Sequence, residues 1–136
     1  MRTKKLLILI GLLLAAFWAG AQDQSYADCI LKEQVRWGEP CDRCENYTAD
    51  LKRDHSGTFQ VLFKNTCREI VELKVAMEEE NGNWRTFPVR ALAPHESFNA
   101  YACKGSGKYM YWARRINDPE TILPTDRDII TRYTKR

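Results

Sequence analysis

Val71-Glu72-Leu73-Lys74-Val75-Ala76-Met77-Glu78 is the stretch that decides how this chain folds. Every odd position is apolar, and three of the four even positions are charged. A period of two sends one set of side chains into a core and the other into water, the mark of a half-buried β-strand. A helix would instead repeat its apolar residues three and four apart. Four more short β-prone runs surround this one: residues 58–64 before it, and 84–92, 97–103 and 109–115 after it. Turn chemistry separates them at Asn65-Thr66, Asn81-Gly82-Asn83, Ala93-Pro94-His95 and Gly105-Ser106-Gly107. Short strands at this spacing predict a mainly β domain, a small antiparallel β-sandwich or partly open barrel.

Burial constrains the register of the first hairpin. A two-residue Asn81-Gly82 turn would set Met77 against Thr86 and Val75 against Pro88. A three-residue loop, Asn81-Gly82-Asn83, or a five-residue loop of the same parity, pairs Met77 with Phe87, Val75 with Val89 and Leu73 with Ala91. It also sets Glu79 opposite Arg85, with Asn83 in the left-handed conformation. A one-residue slip turns every side chain over, so the apolar pairing is the expected one. The same reasoning applied to residues 97–115 predicts a hairpin with a loop over 104–108. Ala102 then faces Met110 and Ala100 faces Trp112, as core pairs do, while Tyr101, Tyr109 and Tyr111 share the other face beside Cys103. Tyrosine hydroxyls need water or a partner, so these three tyrosines are the candidate binding residues.

The flanks read differently. Residues 1–21 hold Arg2, Lys4 and Lys5, then an apolar run over 6–18 interrupted only by Gly11, then Ala19-Gly20-Ala21. These parts in this order describe a secretory signal helix cleaved after Ala21. The apolar run is short for a membrane span, and no other run approaches the roughly 18 residues a span requires. The chain carries 21 Lys+Arg against 18 Asp+Glu, and removing the three leader cations leaves the folded part neutral. A neutral domain lacks the basic stripe of a nucleic-acid binder. The expected organisation is a signal peptide over 1–21, a turn-rich, cysteine-containing segment over 22–57, a β-rich core over 58–115, and a loop with a charged tail over 116–136. An exported, periplasmic or extracellular location follows from the leader.

Export makes disulfides the default for the five cysteines, Cys29, Cys41, Cys44, Cys67 and Cys103. Two bridges can be drawn among them in fifteen ways, five choices of the odd residue times three pairings. Position favours Cys67–Cys103 within the strand-rich half, with one local bridge and one leftover thiol among Cys29, Cys41 and Cys44. Cys41-Asp42-Arg43-Cys44 is also a CxxC, which could serve as a redox dithiol. That use calls for a strand before it and an amphipathic helix after it, and Trp37-Gly38-Glu39-Pro40 is a turn instead. Cys41 and Cys44 with His55 and Cys67 could hold zinc, but their spacing matches no standard finger. The structural use is preferred, and no metal or cofactor is expected.

Other catalytic chemistry is sparse. His55 and His95 are the only histidines, and His95 lies in a turn with no third group placed beside it and Glu96. No GxSxG, HExxH, Walker or GxGxxG pattern occurs. Gly105-Ser106-Gly107-Lys108 lacks the spacing of a phosphate loop and sits between strands.

Residues 63–115 carry Asn65-Thr66-Cys67, Val71 and Val75, Trp84, Leu92-Ala93-Pro94-His95-Glu96 and Tyr109-Met110-Tyr111-Trp112-Ala113. This set resembles a family of small exported bacterial β-sandwich domains of unknown function. The family's Gly-Trp pair after the hairpin is replaced here by Phe87-Pro88, and the shared motifs describe turns and packing without any catalytic residue. The leader is similar to those of Gram-negative exporters. The expected function is a disulfide-stabilised, non-enzymatic binding or interaction module for a protein or glycan partner. A carbohydrate-binding module and a thiol-redox protein working through Cys41 and Cys44 are the alternatives.

Overall fold

The computed structural model describes residues 26–134, so the leader reading of residues 1–21 lies outside the described residues. A 3-10 turn, Tyr26–Cys29, leads into β1 (Ile30–Trp37), β2 (Phe59–Asn65), β3 (Val71–Glu79), β4 (Trp84–Thr86), β5 (Arg90–Leu92), β6 (Ser97–Ala102), β7 (Gly105–Arg115) and α1 (Asp126–Tyr133). The fold is mainly β and antiparallel. One sheet has the order β1-β2-β6. In the other, β3 is central, with β7 along one edge and β4 then β5 along the opposite edge. The two sheets pack as a small sandwich, and no closed barrel forms among the described residues.

The alternation of β3 sets the core. Val71, Leu73, Val75 and Met77 are buried against Phe59, Val61 and Phe63 of β2 and Ala100 and Ala102 of β6. The even positions do not face open water. Lys74, Ala76 and Glu78 are also buried, because the C-terminal segment folds back over this outer face. Lys74 Nζ donates to the Phe87 carbonyl at 2.6 Å and ion-pairs with Asp126 at the start of α1. Trp84 Nε1 donates to the Tyr133 carbonyl, and Ile129 is fully buried. The described part of the expected loop and charged tail, residues 116–134, therefore includes a packed helix. Thr125 opens α1 with a capping box, its hydroxyl accepting from the Asp128 N–H while the Asp128 carboxylate accepts from the Thr125 N–H.

The β3–β4 loop has three residues, but it is Glu80-Asn81-Gly82, one position earlier than the alternation suggests. Gly82 N–H donates to the Glu79 carbonyl and Glu79 N–H to the Asn83 carbonyl. Gly82, at φ +87°, takes the left-handed position expected of Asn83, and glycine does so without a Cβ penalty. Met77 consequently pairs with Arg85, and Ala76 with Thr86. Beyond Pro88, Leu73 pairs with Arg90 and Glu72 with Ala91, a register one residue further on. Pro88 has no N–H to give the ladder, so the run over 84–92 breaks into two short strands.

The expected hairpin over 97–115 does not form. β6 pairs with β2 and β7 pairs with β3, so Tyr101 lies opposite Gln60 and Tyr111 opposite Val75. The turn is Cys103-Lys104, and it crosses from one sheet to the other. Lys104 accepts from Glu80 N–H, and Gly105 donates to the Gly57 carbonyl. A Cβ at Gly105 would lie 2.8 Å from the Phe59 Cβ, so only glycine fits this corner.

The disulfides are Cys29–Cys67 and Cys44–Cys103. Cys67 and Cys103 are both bridged, but to the N-terminal segment and not to each other. The reason lies in the sheet order. β1 runs antiparallel to β2, which brings Cys29, just before β1, beside Cys67, just after β2. The CxxC loop folds against the β6–β7 corner, which places Cys44 beside Cys103. The segment expected to be turn-rich and cysteine-containing thus supplies an eight-residue edge strand and half of each staple.

Candidate functional site

The two edges of the sandwich are built differently. Along the β6 edge, the linker between β4 and β5 wraps around the sheet. Phe87 is 8% exposed and lies edge-on to Phe98 and to Tyr101. Tyr101 is also 8% exposed, and its hydroxyl accepts a 2.6 Å bond from Arg85. Asn65 seals one end. Its side-chain amide donates to the Glu69 and Leu92 carbonyls, and its Oδ1 accepts from the Cys67 N–H.

Along the β1 edge, the inner face stays open. Val35 pairs with Val61 and Trp37 with Phe59, so both point toward the core side of the sheet. Yet Val35 is 53% exposed and Trp37 50% exposed, because β7 reaches this face only in part, meeting Trp37 at Gly107. A β-bulge at Glu33 lets Lys32, Val35 and Trp37 share this face. Lys32 Nζ lies 6.0 Å from the Tyr109 ring centroid and 5.9 Å from that of Tyr111. Trp37 packs on Phe59 at 4.6 Å between centroids, and its ring sits so close to Gly107 that a Cβ there would meet it at 2.8 Å. Gly107 has φ +94° within a bulged start of β7. Among the described residues β1 and β7 each pair with one neighbour, so each presents an unpaired strand edge on this side.

The three candidate tyrosines are therefore split. Tyr109 and Tyr111 meet at the open edge, each half-buried between Phe63 and Lys32. Tyr101 belongs to the closed edge and is buried there. Sequence reasoning missed Lys32, Val35 and Trp37, because the bulge at Glu33 hides the alternation of β1.

The CxxC is not a dithiol pair. Cys44 is bonded to Cys103, and Cys41 is a buried free thiol. The zinc set is also dismantled, since Cys44 and Cys67 are both in disulfides. No group of three or more His, Cys, Asp or Glu side chains is placed to hold a metal ion among the described residues. His95 is exposed in its turn at φ +68°, its N–H bonded to the Asn65 carbonyl. No helix among the described residues is long and apolar enough to cross a membrane. Fold and edges together define a disulfide-stapled antiparallel β-sandwich with one open side. Comparison with protein-family models, curated proteins and solved structures gave no match for the chain.

Proposed function

We propose that this protein is an exported, non-catalytic binding module that takes an extended segment of a partner protein along its open β1–β7 edge. One observation carries the reading: Val35 and Trp37 point to the core side of their sheet and yet stand half in water beside two unpaired strand edges. An added strand would give those edges backbone partners and cover the apolar side chains, as in β-strand addition. The two staples support an extracytoplasmic setting, where disulfides persist.

Stacking of a sugar on the tyrosines is less well supported. Phe63 and the Lys32 ammonium both lie within about 6 Å of the Tyr109 and Tyr111 ring centroids and crowd the space a sugar would need. The test is selection of displayed random peptides on the exported protein. The reading expects peptides with alternating apolar residues whose affinity falls at least about tenfold in Val35→Glu and on N-methylation of alternate peptide amides. Selected peptides that bind Val35→Glu and their N-methylated forms equally well would defeat it, as would a glycan array hit lost in Trp37→Ala with no peptide selected.

A further inference from the structure

A cleft lies on the outer face of the β1-β2-β6 sheet, the face away from the one that Val35 and Trp37 share. Pro40, Cys41, Asp42 and Arg43 of the CxxC loop lean over the outer face of β2 and β6 and leave a cleft of about 390 Å3. Its floor is polar and already ordered. Arg36 donates to Gln60 Oε1 and Asn99 Oδ1, Asn99 donates to Gln60 Oε1, and Gln60 donates to the Glu39 and Pro40 carbonyls. These bonds use both hydrogens of the Gln60 amide and hold the floor in one arrangement.

The walls hold charge that the floor does not use. Phe98, Phe87 and Tyr101 form a ladder of edge-on rings, and three guanidinium groups lie along it. Arg90 sits 5.1 Å from the Phe98 centroid, while Arg85 sits 4.3 Å and Arg43 5.8 Å from that of Tyr101. The salt bridges among the described residues involve Arg36, Lys74, Arg114 and Arg115, so none of these three has a carboxylate within 4.0 Å. Arg85 gives one N–H to the Tyr101 hydroxyl. The Arg43 and Arg90 side chains line the cleft with no guanidinium hydrogen bond to another described residue, beside Ser97 and with Asp42 as the acid of the lining. Stacking on a ring holds a guanidinium by its face and leaves its in-plane N–H fork free to meet a planar or tetrahedral oxyanion through paired bonds. Like charges gathered on one aromatic ladder repel each other unless an anion joins them.

We propose that this cleft binds a small ligand through an oxyanion group, a carboxylate, sulfate or phosphate held between Arg43 and Arg90. The cleft is of small-molecule size, and its amide and hydroxyl lining suits a polar ligand body. The site is independent of the open edge, and neither reading rests on the other.

The test is calorimetric titration of the exported protein at constant ionic strength with sodium sulfate, sodium phosphate, sodium glucuronate and neutral glucose. Saturable binding of sulfate or phosphate marks a site for the free inorganic anion. Saturable binding of glucuronate without either marks a site for an acidic saccharide. In both cases affinity should fall at least about tenfold in Arg43→Gln/Arg90→Gln and stay at the wild-type value in Trp37→Ala. Both arginines are exposed, so the double variant should unfold at the wild-type temperature, which separates lost binding from lost structure. Absence of saturable binding by all three anions would overturn the proposal, as would equal binding of glucose and glucuronate or unchanged affinity in the double variant.

Discussion

β1 and β6 flank the same central strand, β2, in the same sheet, and both are edge strands. Their ladders to β2 are of similar length. What differs is what lies over them. β6 is covered by Phe87 and the proline linker, whereas β7 covers the inner face of β1 only in part and leaves Val35 and Trp37 half in solvent. Equal backbone pairing with unequal side-chain cover separates two jobs. One edge holds the fold together, and the other leaves pairing and apolar surface available.

Substitutions should divide along this line. The largest expected loss is on the stapled side. Replacing Cys44 and Cys103 together with serine opens a bridge spanning 59 residues, which the chain-entropy estimate places at about 4 kcal/mol. Urea unfolding of the double variant against wild type reads this directly. Next comes Phe87→Ala, which empties a buried site between Phe98 and Tyr101 and should cost about 3 kcal/mol in the same assay. On the open side, Trp37→Ala should cost about 2 kcal/mol, less than Phe87→Ala because half its surface is already in water, while it abolishes peptide capture. A Trp37→Ala loss as large as that of Phe87→Ala would show that the open edge is structural and erase the contrast.

A pH experiment sharpens a third region, the helix over the outer face. The hydrogen bond from Lys74 holds the Asp126 carboxyl below the usual carboxylate range. A depressed folded value means the stabilisation is present above the unfolded value near 3.9 and is lost as pH falls through the folded value. Asp126 is more than half exposed, so screening keeps the effect to about 1 kcal/mol at most. Asp126→Asn should therefore be less stable than wild type at neutral pH, with the gap closing below about pH 4. A gap unchanged down to pH 2 would place the stabilisation elsewhere. The smallest effect concerns thiols. The native, unreduced protein should show one free thiol, Cys41, alkylated far more slowly than after unfolding because it is buried.

How much of this was legible in the sequence depends on where regular alternation survives. β3 was plain because Val71 to Met77 alternate without interruption, and β2 and β6 followed from the turns around them. β1 was not, because a bulge at Glu33 and exposure on both faces remove the period of two. The bridges followed from that omission, since Cys29 reaches Cys67 only once β1 is laid beside β2. The separation of β6 from β7 was also hidden. A short glycine turn reads as a hairpin, and only the tight fit of Gly105 against Phe59 shows that it is a corner between sheets. That corner is what carried Tyr101 away from Tyr109 and Tyr111. α1 did leave a signal, since Thr125 and Asp128 are spaced as a capping pair just after Pro124, with Ile129 and Tyr133 one turn apart. The charged residues around them masked it.

The division between a closed and an open edge is tested most directly by native-state amide hydrogen exchange, comparing the amides of β1 and β6 that bond to β2. Equal ladders under unequal cover should exchange at different free energies. The β6 amides should exchange only through global unfolding, with protection that falls in step with stability as urea is added. The β1 amides should exchange through local opening, at least about a hundredfold faster and with little dependence on urea. Equal protection of the two strands, rising and falling together with urea, would contradict the account.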